Sequence, residues 1–411
     1  MVAPLEGIKA IDWGEGANGP LIGVVLGDLG ADVIRVEEPK VGDAMRGLAT
    51  RSGPGPAAIA SRMVAGINAA WENTNRSKRS ITLDLKKGTG KEIMYKLVRS
   101  ADVFYTNRLQ PTAARVGLDY ETLSRINPRL IYAHATGMGA KGPYANKPCF
   151  DPMAQARSAL MTSLGERDSL PSMIVGTPID CVSATIGALA VVTALLCRER
   201  TGIGQKTDTS LLHSALWMQL FNIQTGLFRA GTRTHLGQRR RLRSELPPMG
   251  NQYLCGDGKW LLLGGGGKWD EFCKVMGIDQ PELTSLDMKA MQEETTRKRV
   301  VAYLDILFAS RSREEWIRLF EEKDVKFMYS PVNEVNDLLS DVQVVSNNFF
   351  VDFDHPTAGA TKYVSIPMQF STTPAKVKSA APDLGQHTEE ILLEIGYSKN
   401  DIVRLREEEV I

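Results

Sequence analysis

Short apolar runs alternate with longer segments of mixed polarity from residue 7 to residue 135, and this rhythm predicts strands and helices in turn. Strands are expected at 7–13, 31–37, 80–85, 103–105 and 130–135, and helices at 21–29, 88–100 and 117–126. Gly30 stops the first of these helices and Asn127-Pro128 the last. Residues 39–69, rich in Gly, Pro, Ala and Arg, keep neither period and are expected to form a long loop over a site. Strands alternating with helices at this spacing imply an α/β fold, a doubly wound parallel sheet that binds ligands at the carboxyl ends of its strands.

The most apolar stretch follows. Residues 176–200 begin Gly-Thr-Pro-Ile-Asp-Cys, continue through small and apolar side chains, and end Leu196-Cys197-Arg198-Glu199-Arg200. The stretch is long enough for a buried helix, and Asp180 falls at its N-terminus, where unpaired N–H groups and the helix dipole favour an anion. Read locally, Asp180 is an N-cap. The run 182–196 is short for a bilayer span and carries Ser183, Thr185 and Thr193, so a core helix is expected and no membrane partner.

A strand and helix are expected over 206–221, and Pro247-Pro248 reads as a linker. Beyond it the pattern changes to a hairpin over 253–263, turning on Gly256-Asp257-Gly258. Gly264, Gly265, Gly266 and Gly267 then form an unbroken run, flexible or in close contact with a ligand. Helices at 268–276, 293–308 and 312–323 complete a smaller domain, the last opened by the capping box Ser312-x-x-Glu315. The tail over 384–406 is mostly helical.

Length and charge narrow the function. At 411 residues the chain exceeds what one core supports, so two domains are expected. The 49 basic and 48 acidic side chains nearly cancel, and nucleic acid is not an expected partner. Cys149, Cys181, Cys197, Cys255 and Cys273 lie far apart with no C-x-x-C pair, which argues against a zinc site or a disulfide framework and for reduced thiols in a cytoplasm. No signal-peptide pattern opens the chain. Gly14, Gly16 and Gly19 stand in G-x-G-x-x-G spacing with Pro20 placed to begin a helix, on its face a dinucleotide fingerprint. The tight turn it encodes serves equally any ligand or packing need that brings backbone close.

Six separated motifs carry a resemblance. Pro4-Leu5-Glu6-Gly7-Ile8, Gly30-Ala31-Asp32-Val33-Ile34-Arg35-Val36-Glu37, Ser77-Lys78-Arg79-Ser80-Ile81, Asn127-Pro128-Arg129-Leu130-Ile131, Gly202-Ile203-Gly204-Gln205 and Leu384-Gly385-Gln386-His387-Thr388 stand in the order found in family III CoA-transferases. That family includes formyl-CoA, carnitine and phenyllactate transferases and the related α-methylacyl-CoA racemases. The chain resembles it over nearly its whole length, least between residues 225 and 251. The resemblance implies a Rossmann-like large domain that binds coenzyme A as co-substrate, with neither NAD nor a metal. It implies residues 1–225 as the first part of that domain, 226–335 as linker and small domain, and 336–411 as return linker and C-terminal helices packing on the large domain. Two chains interlock in the family, with the active site between one large domain and the partner's small domain. A homodimer is therefore expected, with a heteromer as the alternative.

The family's nucleophilic aspartate falls at Asp180. A carboxylate there attacks the acyl-CoA thioester to give a mixed anhydride, which CoA thiolate converts to an aspartyl-CoA thioester before the acceptor acid enters. The resemblance further implies CoA contacts at Leu83, Asn107 and Arg115 and in the turn at Gly16 and Ala17, with Gly264 to Gly267 as a candidate lid. Helix N-terminal N–H groups are expected to hold each oxyanion. Asp151, in Cys149-Phe150-Asp151-Pro152, aligns with the acid that deprotonates the α-carbon in racemases. Phe150 stands where the racemase pattern has His, so Asp151 is expected as a wall residue or acid helper. His134 is expected to be packed or hydrogen-bonded, and Trp217, Phe221 and Phe228 to be core or pocket. Arg239, Arg240, Arg241 and Arg243 are expected to be a solvated linker or a grip on a second carboxylate. The expected activity is CoA transfer from an acyl-CoA to a free acid. The alternatives are a racemase using Asp151 and a non-catalytic acyl-CoA-binding subunit of a heteromer.

Overall fold

The computed structural model describes residues 2–46, 63–64, 66–229, 242–287 and 289–411. The chain divides into two compact units: Met1–Met161 with Met173–Leu236 and Asn348–Ile411, and Thr162–Ser172 with Gly237–Asn347. Against the expected bounds, residues 162–172 and 336–347 group with the second unit.

The first unit is built on a parallel sheet of β1 (Lys9–Asp12), β2 (Asp32–Glu37), β3 (Arg79–Thr82), β4 (Val103–Thr106), β5 (Ile131–Thr136) and β6 (Lys206–Ser210). Its order is β3-β2-β1-β4-β5-β6, every neighbouring pair parallel. The order reverses between β1 and β4, which is where a doubly wound sheet opens a crevice beyond its carboxyl ends. β4 and β5 are buried along their whole length, and this is why they read as continuous apolar runs rather than alternating ones.

Helices cover both faces. They are α1 (Asn18–Asp28), α2 (Ala69–Asn75), α3 (Gly88–Ser100), α4 (Gln110–Val116), α5 (Tyr120–Ile126), α6 (Asp151–Arg157), α7 (Pro178–Thr201), α8 (Leu211–Met218) and α9 (Leu220–Phe228). On one face Ile22 and Leu26 of α1 and Ala184, Ala188 and Val191 of α7 pack over Val33, Tyr105 and Ile131. Gly187 lets α1 and α7 approach, because a Cβ there would lie 2.7 Å from Ile22 Cδ1. On the other face Ile93 and Leu97 of α3 meet Leu123 of α5 and, from the tail helices Thr388–Glu394 and Lys399–Glu407, Ile391 and Ile402.

The structure corrects several expected elements. The helix expected at 117–126 is α5 and begins only at Tyr120, capped by Asp119; Gly117, in the left-handed region at φ 76°, instead ends α4, a helix that was not expected. The apolar helix is longer than its 182–196 core: α7 has 24 residues, long and apolar enough by length and composition to cross a membrane, yet half of its most apolar window is buried within the fold. The hairpin Phe350–His355 with Gly359–Val364 was not expected, nor was α6. The loop expected over 39–69 lies partly outside the described residues, and α2 begins at its end.

In the second unit β7 (Gln252–Leu254), β8 (Trp260–Gly265) and β9 (Met328–Val332) form an antiparallel sheet in the order β9-β8-β7. Tyr253, Phe272, Phe308, Trp316, Phe320 and Phe327 fill its core. The capping box forms: Ser312 Oγ accepts from Glu315 N at 3.3 Å, and Glu315 accepts from Ser312 N at 2.8 Å. Gly264 and Gly265 finish β8, where the pairing with β9 shifts register after Leu263. Gly265, Gly266 and Gly267 have φ of 80°, 78° and 73°, a conformation in which any other residue is strained.

Candidate active site

The start of α7 is unusual in who caps it. Pro178 opens the helix with its φ already set, and the preceding Thr177 lies in the left-handed region at φ 56°, ψ 47°. A β-branched residue there is strained, and its side chain makes no capping bond. The cap comes from α6 instead. Asp151 Oδ2 accepts from Ile179 N at 2.6 Å and Asp180 N at 3.0 Å, and Oδ1 accepts from Gln155 Nε2 at 2.5 Å. Asp180 is therefore not the N-cap that its local sequence suggests.

Asp180 is 8% exposed, and among the described residues no donor reaches its carboxylate. Burial, with the charge of Asp151 beside it, pushes its pKa up to about 7. Cys149 is pushed up to about 11 by burial and then by Asp180 and Asp151, and Cys181 is raised by burial and the same two acids. Both thiols stay protonated at neutral pH, which keeps them poor nucleophiles beside the two carboxyl groups.

The second feature is the turn after β1. Asn107, just past β4, accepts from Glu15 N at 2.8 Å and donates to Glu15 O at 2.7 Å. Gly19 is required beneath it, since a Cβ would meet Asn107 Cγ at 2.9 Å. Gly14 N donates to Asp12 at 2.8 Å and Gly16 N to Asp43 at 3.1 Å. Asp12 is wholly buried and ion-paired with Arg35 and Lys78, each at 2.8 Å. Lys78 Nζ also donates to Pro20 O, Thr74 O and Asn75 Oδ1, so one ammonium ties β1, α1 and α2 together. Arg35 pairs with Asp43 as well. Glu37, where a dinucleotide fingerprint directs an acid at a ribose, instead accepts two bonds from Arg46 at 2.8 and 2.7 Å.

The profile of CoA-transferase family III matches residues 5–388. The chain belongs to that family. It is 30% identical over 402 residues to the succinyl-CoA:glutarate CoA-transferase of Mus musculus, covering 95% of this chain and 86% of that protein. It is 30% identical over 434 residues to the succinyl-CoA–L-malate CoA-transferase beta subunit of Chloroflexus aurantiacus, covering 99% and 98%. Among solved structures it is similar to a CAIB/BAIF family protein from Brucella suis, with a TM-score of 0.80, 29% identity, and 96% and 100% of the two chains covered.

Within this family III chain the expected site residues fall in several places. Gly16, Ala17 and Asn107 come together at the carboxyl ends of β1 and β4. α1 follows β1 and α7 precedes β6, so both helices run back along the sheet and open at that same edge. Asp180 and Asp151 sit at the mouth of α7. Leu83 follows β3 with its side chain in the core, and Arg115 is exposed on the last turn of α4. Gly264 to Gly267 belong to the second unit.

Other expectations resolve more simply. His134 is hydrogen-bonded on both sides, Nδ1 at 3.2 Å from Asp208 and Nε2 at 3.0 Å from Arg108 O. Arg243 is committed inside the second unit to Asp305 and to Gln252 O, so it is not a solvated linker residue. Arg239, Arg240 and Arg241 lie outside the described residues. Phe221, 88% exposed, and Trp217 and Phe228 are not core, despite their helical spacing. Among the described residues no group of three or more His, Cys, Asp or Glu is placed to hold a metal.

Two further features escaped the sequence reading. The first N–H groups of α7 are already used: Asp151 takes those of Ile179 and Asp180, and Cys181 N donates to Thr177 O at 3.3 Å. The expected oxyanion donors at this helix end are therefore engaged. Gln155, four residues after Asp151 and on the same face of α6, was not singled out. Asp151-Pro152 followed by an amide at that spacing is the signal that would have found it.

Proposed function

We propose that this chain moves coenzyme A from an acyl-CoA to a free carboxylic acid, with Asp180 as the nucleophile. The observation that carries this reading is a buried carboxylate at a helix N-terminus whose capping task another acid performs. A carboxyl left without a hydrogen-bonding partner costs stability, and such groups cluster where chemistry needs them. The succinyl-CoA transferases among the relatives support the reaction class.

The chemistry balances without a net proton. Ionised Asp180 attacks the thioester carbonyl, and CoA leaves as thiolate with an acyl-aspartyl anhydride behind it. The thiolate attacks the aspartyl carbonyl, releasing the donor acid as carboxylate and forming an aspartyl-CoA thioester. The acceptor carboxylate then displaces CoA to form a second anhydride. CoA thiolate attacks the acceptor's carbonyl, giving the new acyl-CoA and freeing Asp180. Asp151 shapes the ionisation of Asp180 and holds α7; its three N–H donors favour that part over abstraction of an α-proton.

The coenzyme is placed over the turn at Gly16 and Ala17. Gly16 N–H is spent on Asp43, while the N–H of Ala17, the N-cap residue of α1, has no acceptor among the described residues. Assembly as a homodimer is part of the proposal. Leu189, Val192 and Leu196 make an exposed apolar stripe along α7, Trp217, Phe221 and Phe228 of α8 and α9 are exposed as well, and apolar surface of that kind marks a protein interface. A relative named as a beta subunit keeps the heteromer as the second reading.

The test is transfer itself. The wild type, given succinyl-CoA and a panel of free acids, is expected to form new acyl-CoA esters, and Asp180→Ala to lose at least about 10³-fold in rate. Racemisation of a branched acyl-CoA without any new ester would overturn the reading in favour of Asp151.

A further inference from the structure

We propose that Gln155 is a positioning residue for Asp180: its carboxamide holds Asp151 on the N-terminus of α7 and so leaves the Asp180 carboxylate uncapped. The inference rests on the reading of Asp180 as nucleophile and adds the device that presents it.

Gln155 is wholly buried, and every polar atom of its amide is used. Nε2 donates to Asp151 Oδ1 at 2.5 Å and to Ile174 O at 2.9 Å, while Oε1 accepts from Ile174 N at 2.9 Å. One side chain thus clamps two things at once: the acid that caps α7, and the backbone three residues before the strained Thr177. Both define how the chain enters the helix. A buried amide that meets a backbone N–H, a backbone C=O and a carboxylate is matched to its surroundings in a way an apolar residue of the same size cannot be.

Loss of the clamp has a specific consequence. With Asp151 no longer held, the N–H groups of Ile179 and Asp180 need another acceptor, and Asp180 is the acid that the first turn of α7 itself carries. A capped Asp180 is turned back on its own helix, stabilised as an anion, and withdrawn from the thioester. The titratable groups facing Asp180 are Asp151 from α6, Cys149 from the segment before it and Cys181 from α7 itself.

The experiment compares wild type, Gln155→Met and Gln155→Glu, following single-turnover formation of the Asp180 adduct from succinyl-CoA against pH, together with KM. Gln155→Met keeps size and removes every polar contact. It is expected to slow adduct formation about tenfold or more with KM for acyl-CoA unchanged, and to move the pH midpoint down. Gln155→Glu keeps the acceptor for Ile174 N–H but places a second charge near Asp151; it is expected to slow the step and to move the midpoint up. A role in stability alone lowers Tm and moves neither midpoint. If both variants form the adduct at the wild-type rate and midpoint, or if only Gln155→Glu folds and matches wild type, the clamp is overturned. If wild type forms no adduct, the nucleophile reading itself has failed.

Discussion

Two buried aspartates stand at the carboxyl edge of one sheet, and they are treated in opposite ways. Asp12, at the end of β1, is surrounded by partners: Arg35, Lys78 and the N–H of Gly14. Asp180, at the start of α7, has a like charge for a neighbour and no donor among the described residues. Burial opposes ionisation at both. At Asp12 the two cations outweigh it and hold the carboxyl below its ordinary range, whereas at Asp180 the charge of Asp151 adds to it. The first carboxylate is spent on holding the turn; the second is left without such partners at a cost in stability, as the proposed nucleophile requires. The difference between them separates architecture from chemistry within a few strands.

The comparison breaks most readily at Lys78. Lys78→Met leaves Asp12 half-paired in a dry site and removes the donor to Pro20 O and Thr74 O, so unfolding should become easier by about 3–5 kcal/mol. The urea midpoint measures this, and an unchanged midpoint would show that the knot is dispensable.

At Asp180 the sign reverses. Its folded pKa, about 7, lies above the ordinary 3.8, so the penalty is absent below the ordinary value, grows as pH rises between the two, and is complete above pH 7. Asp180→Asn should therefore be more stable than wild type by about 1–3 kcal/mol at pH 8, with the two stability curves converging near pH 4. A variant less stable than wild type at pH 8 would mean that the carboxylate has a partner after all.

What the sequence disclosed follows from the range of each interaction. α3 was legible to the residue because its apolar face and its ends are local, and β4 and β5 because strands buried on both faces are apolar throughout. Gly117 was readable as a breaker and was instead taken into a helix. The cap on α7 was not readable at all: the acceptor lies 29 residues before Asp180 on a short helix whose own periodicity is weak. The same holds for Asp12 and Arg35, which meet only because β1 and β2 pair in parallel register. Asp180 stood out locally as the acid that opens the apolar helix, its expected role as nucleophile came from the family resemblance, and its environment came from the fold. Nor does spacing distinguish core from surface, as the exposed Trp217, Phe221 and Phe228 demonstrate.

The most direct test of the central claim is to trap the covalent intermediate. Wild type and Asp180→Ala are mixed briefly with succinyl-CoA, quenched with hydroxylamine, and measured by intact mass followed by peptide mapping. Wild type should carry a hydroxamate on Asp180, and Asp180→Ala none. A hydroxamate on another residue, or no adduct from any acyl-CoA while solvent deuterium still enters the α-carbon in Asp180→Ala, would contradict the account and move the chemistry to Asp151.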